Sequence, residues 1–319
     1  MLKIGSDITV QKRQAENMTS LFLTGVLMVC SSSGVAQETH PYSTSGPIDA
    51  PQIFAAGTIS TELPEFATAF SPAGDMVVFN RMPHDRSRID MVMSQFENGK
   101  WSEAELLPFS GEHRDVDPWF SSDGSRLYFS SNRPGATGMQ PGNWDTWYVQ
   151  LDERRWSEPI KLGPEVNTAA TEIFVSMTDS GTLYFRRSDE KSRGIFSAQA
   201  DGDGFAMPQE LHGLELESAG NPMIARDGSF LILSGIVEGR AGELFISFRD
   251  DDKWTPAVNM GPSVNTQYAE FAPAISPDGK YLFFTSERPG IVSETPEGRP
   301  PGDIYQVELG SIEGIDWPE

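Results

Sequence analysis

Short apolar runs rich in β-branched and aromatic residues recur along the chain, and each follows a polar tight-turn phrase. The turns end at Gly74, Gly124, Gly181, Gly228 and Gly279, four of them carrying Ala-Gly or Asp-Gly, as in Ser121-Ser122-Asp123-Gly124 and Ser276-Pro277-Asp278-Gly279. Glycine accepts the positive φ of a hairpin turn, and aspartate bonds its own turn backbone. Behind the turns come Met76-Val77-Val78-Phe79, Leu127-Tyr128-Phe129, Leu183-Tyr184-Phe185, Phe230-Leu231-Ile232-Leu233 and Tyr281-Leu282-Phe283-Phe284. A further run opens near Asp90, Asp145, Ile195, Glu243 and Asp303, and another follows Trp101, Trp156, Phe205 and Trp254. With the strand before each turn, four strands fall in every unit of about 50 residues. That is the period of a propeller blade.

The pattern predicts an all-β fold: a single β-propeller of about five four-stranded blades. The fifth unit stops after its third strand at Leu309. Its missing piece lies at the other end of the chain. Pro51-Gln52-Ile53-Phe54-Ala55-Ala56-Gly57 parallels Pro256-Ala257-Val258-Asn259-Met260-Gly261, the stretch that closes an earlier blade. The N-terminal segment is therefore expected to supply the outer strand of the last blade and so remove an open sheet edge. No sixth turn phrase supports a sixth blade.

These turn-and-strand phrases, spread over residues 51–309, resemble the repeats of the TolB-type, WD40-like β-propeller family. The resemblance implies the fold and says little of function. TolB is a periplasmic partner in envelope integrity and carries an additional N-terminal α/β domain, for which this sequence leaves no room. Its role is accordingly not carried over.

The N-terminus reads as a secretion signal over residues 1–36. Lys3, Lys12 and Arg13 precede the apolar stretch from Leu21 to Val29, and Gly34-Val35-Ala36 fits a cleavage site. A linker (37–50), the propeller (51–309) and a C-terminal tail (310–319) complete the expected organisation. The mature protein is expected to be periplasmic or secreted. A lipoprotein anchored through Cys30, the only cysteine, is the weaker alternative, because Val29 stands where the processing box wants a small residue. Cleavage after Ala36 would leave no cysteine, hence neither a disulfide framework nor a thiolate metal site.

The formal net charge is −22. It excludes a nucleic-acid binder, which needs clustered Lys and Arg, and docking on anionic lipid. It suits a protein that meets cationic groups or ions.

Nine residues before the turn glycines stand Glu65, Asp115, Glu172, Ala219 and Glu270, so four of five blades carry a carboxylate at one mouth of the channel. One reading is an acidic ring that collects Ca²⁺ or a cationic partner. The stronger reading is a set of ion pairs within blades. Arg133 and Arg288 lie as far beyond their turns as Asp115 and Glu270 lie before them, which sets them opposite on paired strands. Arg81, and Arg186 or Arg187, can serve blades one and three. Blade four has Ala219 and Val237 and has lost both members. Pairs of this kind, taken as exposed, contribute only about 0–1 kcal/mol each.

The same face carries two long loops, from Pro134 to Trp144 and from Pro289 to Gly302. Trp144, taken with Trp119 of the same blade, offers a stacking platform for a sugar or peptide. Alternatively Trp119 plugs the channel and Trp144 covers the blade edge. His40, His84, His113 and His212 show no zinc spacing, and no nucleophile elbow, phosphate loop or dinucleotide fingerprint appears.

The expected function is a non-catalytic, monomeric propeller that binds a protein or glycan partner at its channel-mouth face without a cofactor. The alternative is a carbohydrate-active hydrolase or lyase using Glu65, Glu172 or Glu270 in a pair of channel carboxylates. Arginine partners count against it, since they would hold those acids ionised.

Overall fold

The computed structural model describes residues 41–42, 47–135, 143–190, 193–237, 240–292 and 300–317. The segment read as a secretion signal, Cys30 and His40 lie outside them, as does much of both long loops.

Among the described residues five antiparallel sheets of four or five strands stand in chain order, each a blade. Their innermost strands are Glu65–Phe70, Asp115–Phe120, Thr171–Met177, Gly220–Ile224 and Glu270–Ile275. The turn glycines that follow all have positive φ, between 71° and 85°, as tight hairpins require. In blades one, two and four the outermost strand is split into two short pieces that both pair with the third strand, such as Lys100–Trp101 and Glu105–Leu106. Trp101 is buried and Trp156 and Trp254 are half-buried, each packed into the core beside its blade.

The ring closes as the sequence predicts. Gln52–Ile53 pairs with Asp303–Glu308, opposite Gln306 and Tyr305, and becomes the outer strand of blade five. Behind it Phe54 is buried edge-on against Phe283, Phe70 and Trp101, with ring centroids 5.0, 5.8 and 5.7 Å away. The packed structure begins before residue 51. Tyr42 and Ile48, within the segment read as a linker, are buried in the same cluster, and the Trp101 indole donates to the Pro41 carbonyl.

Each innermost strand also contains an irregularity that the apolar pattern does not announce. Ala67, Asp117, Phe174, Asn221 and Ala272, each two residues past the mouth position, have φ between 44° and 62°. A register shift accompanies every one of them. These are five equivalent β-bulges, which kink the strand and re-aim a side chain. A left-handed conformation costs a non-glycine residue roughly 1–2 kcal/mol, so neighbouring blades must hold it. They do: the Asp117 amide donates to Asn80 Oδ1 at 3.0 Å, that of Ala67 to Thr285 Oγ1 at 3.2 Å, and that of Phe174 to Ser130 Oγ at 3.2 Å.

The loop leading into a blade is tied backward to the blade before it. Asn167 Oδ1 accepts from the Thr146 amide at 2.7 Å while its Nδ2 donates to the Thr146 carbonyl at 2.9 Å. Asn265 does the same to Leu244, and Ser60 and Ser110 bond Ile304 and Met91 from the equivalent position. Asn167→Ala strands a buried amide and carbonyl together. It should lower the free energy of unfolding in urea by about 1–3 kcal/mol.

Candidate functional site

The ring acids are the first site residues to place. Glu65, Asp115, Glu172 and Glu270 are wholly buried. Each meets an arginine of its own blade: Arg81 at 2.8 Å, Arg133 at 2.6 Å, Arg187 at 2.8 Å and Arg288 at 3.2 Å. The guanidinium side chains are only 10–20 % exposed, so these are buried ion pairs. That corrects their expected exposure and their expected small worth. Blade three uses Arg187, directly opposite Glu172.

In blades two and five the residues opposite the acids are Ser131 and Ser286. Arg133 and Arg288 stand two residues further on and reach back, each donating from Nε to that serine. The arginines also donate to carbonyls of the incoming loop, as Arg187 does to Val166 at 2.8 Å and Arg288 to Val264 at 2.6 Å. Glu65, Glu172 and Glu270 each accept, in addition, from the backbone and hydroxyl of the threonine four residues earlier: Thr61, Thr168 and Thr266. Burial pushes Glu65 up to about 7 and raises Glu172, outweighing these donors and the arginines, which corrects the expectation that arginine partners would hold these two acids ionised. The phrase Gly-Pro-x-Val-Asn-Thr, repeated at 163–168 and 261–266, carries this arrangement and was the sequence signal for it.

Blade four fills the same place with apolar side chains. Ala219, Leu214, Leu216 and Leu233 pack together where the other blades hold a pair. The acids are therefore spent within the fold. Among the described residues no group of three His, Cys, Asp or Glu side chains is placed to hold a metal ion.

Three spaces run along the axis. At the mouth lies a cavity of about 400 Å³, walled by Phe66, Phe174, Phe271, Trp144 and Ile173, with Asp117 and Asn221 at its base. Below it is a waist of about 30 Å³ ringed by the five bulge residues. At the far end is a basin of about 690 Å³ that includes Trp119, Arg226, Phe230, Lys280 and Trp317. None of the four ring acids or their arginines lines the mouth cavity.

The two tryptophans proposed as one platform are thus separated. Trp119 lies at the waist and the far basin, under the Arg226 guanidinium at 5.7 Å. Trp144 stands at the mouth. Its carbonyl accepts from the Glu172 amide at 2.9 Å, and the neighbouring Asn143 amide group donates to the Ala169 carbonyl at 2.6 Å, which fixes it between blades two and three. Phe66 and Phe271 face the same cavity from blades one and five, with ring centroids 6.4 Å apart.

Asp117 is the residue that sequence reading missed. It is nine-tenths buried, and among the described residues its Oδ2 has no hydrogen-bond partner. Burial alone pushes its carboxyl up to about 8. Among the described residues it is the only titratable one lining either the mouth cavity or the waist. The equivalent bulge residues are alanine, phenylalanine, asparagine and alanine. A buried, unpartnered carboxyl aimed into an aromatic cavity is the kind of polar group around which binding sites are built.

No protein-family model matches the chain, and no curated protein matches it. Among solved structures it is similar to TolB from Acinetobacter baumannii, at 14 % identity and a TM-score of 0.48. That match covers 77 % of this chain and 54 % of TolB, so the chain spans about half the length of that protein. It is also similar to a gluconolactonase from Xanthomonas campestris, at 12 % identity over 84 % of this chain and 98 % of that one, with a TM-score of 0.47. The GH62 α-L-arabinofuranosidase catalytic domain of Coprinopsis cinerea matches at 13 % identity over 83 % of this chain and 99 % of that one, with a TM-score of 0.49. At these identities the likeness is one of fold, and the propeller assignment rests on the chain's own five sheets.

Proposed function

We propose that this chain is an exported, non-catalytic propeller that binds a protein or glycan partner at the mouth of its channel. The observation that carries the reading is the mouth cavity itself: an open, aromatic-walled space with one unpartnered polar group at its base. Rings of Phe66, Phe271 and Trp144 offer flat faces for a sugar or side chain, held by a rigid scaffold.

The same geometry weighs against the hydrolase alternative. Glycoside hydrolysis ordinarily uses two carboxyl groups about 5–9 Å apart across the bond, whereas among the described residues Asp117 is the only one lining this cavity. Glu65, Glu172 and Glu270 are each committed to an arginine. For a lyase acting on uronates, no lysine, arginine or histidine among the described residues lines the cavity to neutralise the substrate carboxylate.

A thermal-shift screen of the protein against neutral oligosaccharides, soluble cell-wall fragments and short peptides tests the reading. A ligand that raises the melting temperature should lose about ten-fold in affinity, close to 1.4 kcal/mol, on Trp144→Ala. Binding that survives Trp144→Ala and disappears on Arg226→Ala would move the site to the far basin. Turnover of a glycan, lost in Glu65→Gln, Glu172→Gln or Glu270→Gln at unchanged melting temperature, would favour the enzyme.

A further inference from the structure

We infer that the mouth cavity takes an organic ammonium head, its charge against Asp117 and its carbon substituents against Phe66, Phe174, Phe271 and Trp144. This deepens the proposed function and rests on the mouth cavity being the binding site.

The residues around the cavity select the class. Aromatic faces attract a cation through the ring quadrupole, most strongly where water is excluded. A primary ammonium also donates hydrogen bonds, and acceptors line the cavity for it: the Asp117 carboxyl, whose buried Oδ2 has no partner among the described residues, and the Ser234 hydroxyl oxygen, whose own proton goes to Asn221 Oδ1 at 2.7 Å. A neutral sugar would bring no counter-charge to the carboxyl, and an anion would face a chain of net charge −22.

A bare divalent ion fits less well. Ca²⁺ asks for six to eight oxygen ligands, and this cavity offers the side-chain oxygens of Asp117, Asn221 and Ser234 amid apolar walls. A soft cation with a hydrocarbon skirt satisfies both parts of the lining at once.

The placement of Asp117 also explains how the unoccupied fold tolerates it. With burial holding its carboxyl near 8, the group is mostly neutral at pH 7 and must release its proton when a cation arrives. Among the described residues no other titratable side chain lines the cavity or the waist below it, so the released proton is assigned to this group.

The test is calorimetric titration of the whole protein at pH 7 and pH 8.5 with benzylammonium, benzyl alcohol and benzoate, in buffers of differing ionisation enthalpy. Variants Asp117→Asn and Phe271→Leu accompany the wild type. Asparagine tolerates the left-handed backbone, and blade four carries Asn221 at the equivalent position, so the first variant is expected to fold.

Benzylammonium should bind about ten-fold or more tightly than benzyl alcohol, tighten from pH 7 to 8.5, and release close to one proton at the lower pH. The preference and the proton release should both vanish in Asp117→Asn. Replacing benzylammonium by Nα-acetyl-lysine methylamide separates a partner's lysyl side chain from a free amine as the source. Equal affinity for benzylammonium and benzyl alcohol, weakened by Phe271→Leu and indifferent to Asp117→Asn, overturns the cation while leaving the cavity as a binding site. Absence of binding by all the probes, or binding that ignores both variants, overturns the cavity reading as well.

Discussion

Arg187→Met should lower the stability of the propeller by about 3–5 kcal/mol, the usual consequence of leaving one member of a buried ion pair without its partner. For a chain of this size that corresponds to a fall in melting temperature on the order of 10 °C. Glu172 is wholly buried, and the arginine's Nε is its 2.8 Å partner. The same guanidinium donates to the Glu165 and Val166 carbonyls and lies 5.3 and 4.9 Å from the Phe185 and Phe196 rings. Methionine keeps part of the ring contact and none of the donors. The double variant Glu172→Leu/Arg187→Met should recover at least half of the loss. It removes both charges, and apolar replacement of a buried pair is often close to neutral. Blade four is the natural precedent, since Leu214, Leu216 and Ala219 pack there instead. A single variant that melts within 2 °C of wild type, a loss of about 1 kcal/mol or less, would make the pairs as dispensable as exposed ones.

The parts of the fold that repeat were legible in the sequence, and the parts that depend on backbone irregularity were not. Five turn glycines at near-equal intervals set the blade number, and the likeness of Gln52–Gly57 to Ala257–Gly261 gave away the closing strand. The carboxylate ring was visible for the same reason. Arg133 and Arg288 were identified by counting equal distances from the turn glycine, which assumes an unbroken ladder centred on it. The hairpin is centred before Gly124 rather than on it and the bulge takes up one more residue, so Asp115 faces Ser131 and Arg133 succeeds only because its side chain is long.

Asp117 was hidden by the same irregularity. Strict alternation puts it on the face of Asp115, and a left-handed turn at Ala67, Asp117 or Phe174 has no glycine to mark it. The pairing of Trp119 with Trp144 failed for a simpler reason. Trp119 lies four residues along the strand from Asp115, which at about 3.3 Å per residue carries it away from the mouth to the waist and the basin beyond.

Unliganded protein should be more stable at pH 5 than at pH 8.5, and Asp117 should account for most of the loss above pH 7. Its carboxyl titrates near 8 when folded and near 3.9 in an open chain. The native state therefore holds the proton over that interval while the unfolded state has already lost it. The stabilisation is complete below about pH 4 and is lost as the pH rises through about 8, a total on the order of 5 kcal/mol. Glu65, raised to about 7, and Asp303, raised to about 6, act in the same direction but are exhausted by mildly alkaline pH. Asp117→Asn should thus lessen the decline between pH 5 and 7, leaving the part owed to Glu65 and Asp303, and flatten the part from pH 7 to 8.5. Urea unfolding at half-unit steps of pH reads both segments. A wild type that is flat above pH 7, or a variant that keeps the wild-type slope there, would remove Asp117 as the buried acid at the base of the cavity. A cation that occupies the mouth should act in the opposite sense, restoring stability at pH 8.5 in the wild type and leaving Asp117→Asn unmoved.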